Sequence, residues 1–168
     1  MAKTGSKRKR DELVFRSARV EDVPGIHKLI NRFARQGKML GRSLPELYEM
    51  VRDFVVCIKN RRIIGCGAIR VYWEDLAEIK SLAVDARNQG KNIGGRIVTM
   101  LEEEAARCGV EKTFVLTFAP GFFGKLGYAE TEKENFPHKI WADCVKCPHF
   151  PDCKEVAMIK TVRGDNTP

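Results

Sequence analysis

The sequence predicts a mixed α/β domain of the α+β kind, with a mostly antiparallel sheet flanked by helices. Three observations carry this prediction. An alternating segment passes directly into helical periodicity near the start; three β-rich runs follow one another through residues 54–84; and a glycine-containing loop then leads into a long amphipathic stretch and a buried apolar run. The 168 residues, 43% hydrophobic and 31% charged, suit one domain with a sizeable core.

From Val14, VFRSAR alternates apolar and polar side chains as a half-buried strand does, and Val23, Ile26, Ile30 and Phe33 then recur at helical spacing. Ser43 with Glu46 forms a capping-box signature ahead of Leu47, Met50 and Val51, which predicts a short helix ending near Asp53. FVVCIKN and IIGCGAIRVYW flank a polar turn at Asn60 to Arg62, the pattern of an antiparallel hairpin. LAEIKSLAV reads as a third strand, although its alternation is less clean, and stops at the loop Asp85 to Asn92. Ile93, Ile97, Leu101 and Ala105 define the long helix, with Gly109 at its stop. KTFVLTFA is then a buried strand, and the remainder, PGFFGKLGY and a Cys- and Pro-rich excursion ending in the strand-like VAMIKTV, closes the domain.

The chain carries a formal charge of +8, and residues 1–12 hold five of the basic side chains against two acidic ones. That segment reads as a solvated, disordered tail, leaving residues 13–163 as the folded domain, with a Cys-rich loop at 144–153 and a second tail at 164–168. No stretch nears the roughly 18 apolar residues of a membrane span, so a soluble protein without a membrane partner is expected. Six cysteines are too sparse for a disulfide scaffold, and Cys57 and Cys66 fall within apolar runs, which favours the reducing cytoplasm.

The loop between the third strand and the long helix is the informative feature. Gln89, Gly90, Lys91, Asn92, Ile93, Gly94 and Gly95 offer backbone N–H groups at a positive helix end, and Lys91 and Arg96 add charge, so the loop can cradle a phosphate. A Gly-rich helix cap would look the same locally. Neither G-x-x-x-x-G-K-[ST] nor an early G-x-G-x-x-G is present, which excludes P-loop and dinucleotide-binding readings.

SLAVDARNQGKNIGGRIVTMLEEEA followed by FVLTFAPGFFGKLGYAE resembles the acetyl-CoA-binding core of the GNAT acyltransferases. Gln89 and Gly94 match the family's Gln/Arg-x-x-Gly-x-Gly/Ala, whereas Asn92 stands at the usual first glycine. Asn readily adopts a left-handed backbone, which keeps the turn feasible. Within that family, KMLGRSLPELYEMVRDFVV, VYWEDLAEIKSLAV and FPHKIWADCVKCPHFPDCKEVAM resemble the short N-acetylglutamate synthases.

The resemblance implies direct attack of an amine on acetyl-CoA in a ternary complex, L-glutamate as acceptor, and Glu78 as the base. Read from residues alone, Glu78 serves equally well as a strand carboxylate paired with Lys80 or a neighbouring arginine. The resemblance further implies that Leu82, Ala83 and Val84 offer backbone groups to the pantetheine and that Gln89 to Arg96 hold the pyrophosphate. Phe123 occupies the position of the family's tyrosine acid, which removes a hydroxyl acid from that site. Two substrate carboxylates need fixed cations, for which Arg42 is the first candidate and Lys139 the second; Ser81 and Thr117 are candidates for smaller contacts.

Cys144, Cys147 and Cys153, with His149 or His138, could bind Zn²⁺, although the second C-x2-C of a structural zinc site is missing and a loop of reduced thiols fits the same pattern. Two competing readings stand beside glutamate acetylation. One is acetylation of another amino acid, a small amine or a protein terminus; the other is a nucleic-acid-binding module using the basic tail and the Cys-rich loop, the less favoured of the two. The sequence leaves monomer and homodimer open.

Overall fold

Residues 12–136, 144–147 and 152–162 are described in a computed structural model of the chain. The strands are β1 (Val14–Ser17), β2 (Phe54–Lys59), β3 (Arg62–Val71), β4 (Leu76–Val84), β5 (Lys112–Thr117), β6 (Ala129–Glu130) and β7 (Val156–Thr161). The helices are α1 (Val23–Ala34), α2 (Leu44–Glu49), α3 (Ile93–Arg107) and α4 (Pro120–Lys125). Hydrogen bonding orders the strands β1-β2-β3-β4-β5-β7-β6, the mixed sheet expected. The described residues form two compact units, one running to Ala68 and taking in Ser81–Met100, the other comprising Ile69–Lys80 and the residues from Leu101 onward.

In the first unit β1 pairs antiparallel with β2, and β2 with β3. The two-residue turn Asn60-Arg61 has φ values of 51° and 62°, the mirror-image turn whose twist suits a hairpin. The apolar side of α1, Val23, Ile26, Leu29 and Ile30, packs with Leu47 and Met50, with Phe54 and Val56 of β2, and with Cys66, Ala68 and Ala83. Full burial of each large aliphatic side chain contributes about 1.5–3 kcal/mol. The Ser43 capping box is present: Ser43 N–H donates to Glu46 Oε2 at 2.7 Å and Ser43 Oγ accepts from Glu46 N–H at 3.4 Å. Helix α2 ends at Glu49 rather than near Asp53, because Val51–Asp53 tighten into one 3₁₀ turn.

The first turns of α3 close against β3 at Gly65. A Cβ there would meet Ile93 Cγ2 and Ile97 Cδ1, each at 3.0 Å, so a larger residue fits only if both side chains give way by a few tenths of an ångström.

In the second unit β4 runs parallel to β5 over Leu76↔Lys112, Ala77↔Thr113 and Glu78↔Phe114. Strand β5 pairs antiparallel with β7 from Lys112↔Thr161 to Thr117↔Val156, and β6 adds two residues to the outer side of β7. Phe114 is fully buried, stacked on Phe136 at 4.3 Å between ring centres and tilted against Tyr72 at 6.1 Å. Tyr128 shares its hydroxyl between Thr113 (2.8 Å) and Glu102 (2.9 Å), while Lys160 Nζ reaches both oxygens of Glu102 at 2.9 Å. Burial raises the Tyr128 phenol far above its ordinary range, and the Glu102 carboxylate adds to the shift. Helix α4 lies within PGFFGKLGY, to which the sequence assigned no element, and the short strand β6 follows it.

Candidate active site

Strand β4 carries the candidate base, Glu78. Side chains two apart on a strand share a face, so Glu78 and Lys80 stand side by side, Lys80 Nζ lying 3.3 Å from Glu78 Oε2. Both residues are only 8% exposed. Lys80 also donates to Tyr72 Oη at 3.3 Å and sits over the Tyr72 ring at 5.8 Å. A buried carboxylate is therefore held beside an ammonium that a phenol positions. The Lys80 pairing offered by the sequence is present, and it leaves Glu78 a second oxygen to accept with. Tyr72 was missed as a site residue. The tight return from β3 to β4, where Tyr72 N–H and Trp73 N–H both donate to Leu76 O, sets Tyr72 opposite Leu76, and the two long side chains span the rest of the way to meet at Lys80 Nζ.

Past Lys80 the strand breaks its extended course at Ser81, which has φ 54°, and the Ser81 carbonyl accepts from Cys66 Sγ at 3.6 Å. Leu82, Ala83 and Val84 resume the strand. The loop then turns with Gly90 at φ 78° and Asn92 at φ 58°, so asparagine supplies the left-handed residue where the family pattern has glycine. Gln89 Nε2 donates to Val84 O at 3.1 Å, tying the loop to the strand end, and Lys91 Nζ donates to Asn88 Oδ1 at 3.4 Å. Asn92 O accepts from Arg96 N–H at 3.1 Å, which leaves the N–H groups of Ile93, Gly94 and Gly95 at the positive end of a 15-residue helix. The Arg96 guanidinium lies 4.1 Å from the centre of the Phe15 ring. Phe15 therefore fixes its direction through a cation–π contact.

Arg42 is placed by Asn31, whose Nδ2 donates to Arg42 O at 2.8 Å and whose Oδ1 accepts from Arg42 N–H at 3.3 Å. Its side chain is 9% exposed, with Nη1 3.9 Å from Glu46 Oε1. Asn31 is a second residue the sequence reading missed. Thr117 Oγ1 accepts from Ala119 N–H at 2.9 Å, a local turn that leads into α4. Phe123 is buried edge-on against Phe122 and Tyr128.

Cys144, Cys147 and Cys153 are free thiols. Cys144 packs against the Leu76–Phe114–Phe136 cluster, and Cys153 Sγ is 3.5 Å from Glu155 Oε2. Among the described residues no group of three or more His, Cys, Asp or Glu side chains is disposed to hold a metal. His138, Lys139 and His149 lie outside the described residues. Among the described residues no helix is long and apolar enough to cross a membrane.

A family model for the acetyltransferase (GNAT) domain matches residues 51–130. An uncharacterized N-acetyltransferase of Chlorobaculum tepidum is 44% identical over 147 residues, 88% of this chain and 95% of that protein. The chain belongs to the GNAT acetyltransferases. It is accordingly an acyltransferase, and the family match spans the β4–α3 loop. A GNAT relative of Mycobacterium tuberculosis with the name amino-acid acetyltransferase is 41% identical over 123 residues, 71% of this chain and 70% of that protein. Among solved structures, N-acetylglutamate synthase of Neisseria gonorrhoeae, complexed with coenzyme A and N-acetyl-glutamate, superposes with a TM-score of 0.82 at 22% identity. This GNAT chain is covered to 91% in that match but spans only 36% of the synthase, and at that identity the likeness is one of fold.

Proposed function

We propose that the protein transfers acetyl from acetyl-CoA to the α-amine of L-glutamate, yielding N-acetylglutamate. The observation that carries this reading is the buried Glu78–Lys80 pair on the strand whose far end leads into the phosphate cradle. The amino-acid acetyltransferase relative supports an amino acid as acceptor. Arg42, buried and braced by Asn31, supplies the cation that a glutamate carboxylate needs, in the bidentate form that guanidinium favours.

The steps follow from the groups present. The donor pyrophosphate lies on the N–H groups of Gly94 and Gly95, and the pantetheine hydrogen-bonds the backbone of Leu82–Val84. Glu78 takes one proton from the substrate ammonium, directly or through one water. The freed nitrogen pair attacks the thioester carbon and C–N forms; the nitrogen, now cationic, gives its second proton to water, and the oxyanion collapses as C–S breaks and the pair departs on sulfur. Phe123 offers the thiolate no proton, and the Tyr128 phenol is committed to Glu102 and Thr113, so solvent water protonates the leaving group.

The test is CoA release with acetyl-CoA and a panel of amino acids and polyamines, with the mass of each product. Selective N-acetylglutamate formation is expected. Turnover of another amine alone overturns the acceptor and leaves the acetyl-transfer chemistry in place.

A further inference from the structure

The first unit contains a cleft of about 1070 Å³ that shares none of its lining with Gln89–Arg96. Its floor is apolar, formed by Leu29, Ile58, Ile63 and Ile64, and its rim is basic. Two of the acids that line it are already matched. Asp22 is bound by both Arg16 nitrogens at 2.6 and 3.0 Å, and Asp85 by Arg32 at 2.7 Å. Glu21 pairs with Arg19 at 3.7 Å on the surface. Lys28, Arg61, Arg62 and Arg87 then remain on the lining as exposed cations with no salt bridge to a carboxylate among the described residues. They come from three separate elements, α1, the β2–β3 hairpin and the turn after β4.

Arg61 adds an independent observation. It holds φ 62° in the second position of a two-residue hairpin turn, where glycine is unstrained and a long side chain is disfavoured. Backbone strain of this kind persists where the side chain has work to do. The cleft's size is that of a small-molecule site, and three guanidinium forks and an ammonium on one lining suit a ligand with more than one anionic group.

We propose that this cleft binds a small polyanion bearing at least two phosphate groups, separately from the acyl donor. The shared chemistry is a diphosphate, which either a nucleoside diphosphate or free pyrophosphate supplies. The experiment is calorimetric titration of the full-length protein, saturated with CoA to occupy the β4–α3 cradle, using ADP in one arm and inorganic pyrophosphate in the other. Binding of either probe is expected, weakening at least tenfold in Arg61→Gly/Arg62→Ala and on raising the salt. Arg61→Gly alone is expected to weaken binding while its melting temperature stays level or rises, since glycine relieves the turn; that combination separates a ligand contact from a fold defect. Tighter binding of ADP assigns the apolar floor to a base, and equal binding assigns recognition to the phosphates. No heat in either arm with CoA present, or affinities unchanged in both variants, overturns the proposal. Failure of the protein to bind CoA would instead count against the donor-binding reading, and the same titrations without CoA would still decide this one.

Discussion

Glu78 shows how far a single residue can be read. Its type and place on a strand allowed both a base and an ion-pair partner, and the structure places Lys80 at 3.3 Å as that spacing offered, whereas the Tyr72 hydroxyl behind Lys80 is a contact that spacing does not encode. Glu78→Gln keeps the shape and removes the proton acceptor, so kcat should fall by roughly 10²–10⁴ while CoA affinity changes little, as steady-state kinetics and calorimetry would report. Arg42→Ala should chiefly raise the KM for glutamate. Asn31→Ala should move the same parameter less, because it acts by placing Arg42; an unchanged KM in both would remove glutamate recognition from this corner. Burial pushes the Cys57 thiol to about 11 and the Cys66 thiol to about 12. Alkylation under native conditions should therefore spare both and modify exposed Cys108 early, as peptide mass mapping would show.

Elements with strong periodicity were legible, and those without it were not. Helix α1 and the Gly-rich loop into α3 match expectation, since long amphipathic stretches and caps are local signals. Helix α4 has six residues, two of them glycine, and β6 has two residues, both too short to carry a period. The blurred alternation of β4 has a definite cause: the left-handed Ser81 shifts the phase between Lys80 and Leu82. The packing of α3 onto β3 was likewise invisible, because only the distances show how closely Ile93 and Ile97 approach Gly65. Gly65→Ala should cost about 1–3 kcal/mol by forcing Ile93 and Ile97 outward, measurable by denaturant melts. Because Ile93 also opens the helix that forms the cradle, the variant should bind CoA more weakly as well.

At the scale of the whole molecule, acid stability rests on matched charges. Burial alone would raise the carboxyls of Asp22 and Asp85; hydrogen bonds from the Arg16 side chain and Arg19 N–H to Asp22, and from Arg87 N–H and the Arg32 side chain to Asp85, outweigh it and hold both below their ordinary 3.8. A carboxyl lowered by folding stabilises at pH above its unfolded value and ceases to as pH falls through the lower, folded one. Asp22→Asn should thus be about 1–3 kcal/mol less stable at neutral pH, and the gap should close below about pH 4. Among larger features, β3, β4 and α3 each contribute residues to both compact units. The units are therefore interleaved in the gene: no single cut releases one intact, and melting is expected as one transition. Each boundary between the units falls inside an element, after Ala68 in β3, after Lys80 in β4 and after Met100 in α3, so a recombination event that followed the units would have to divide two strands and a helix at once.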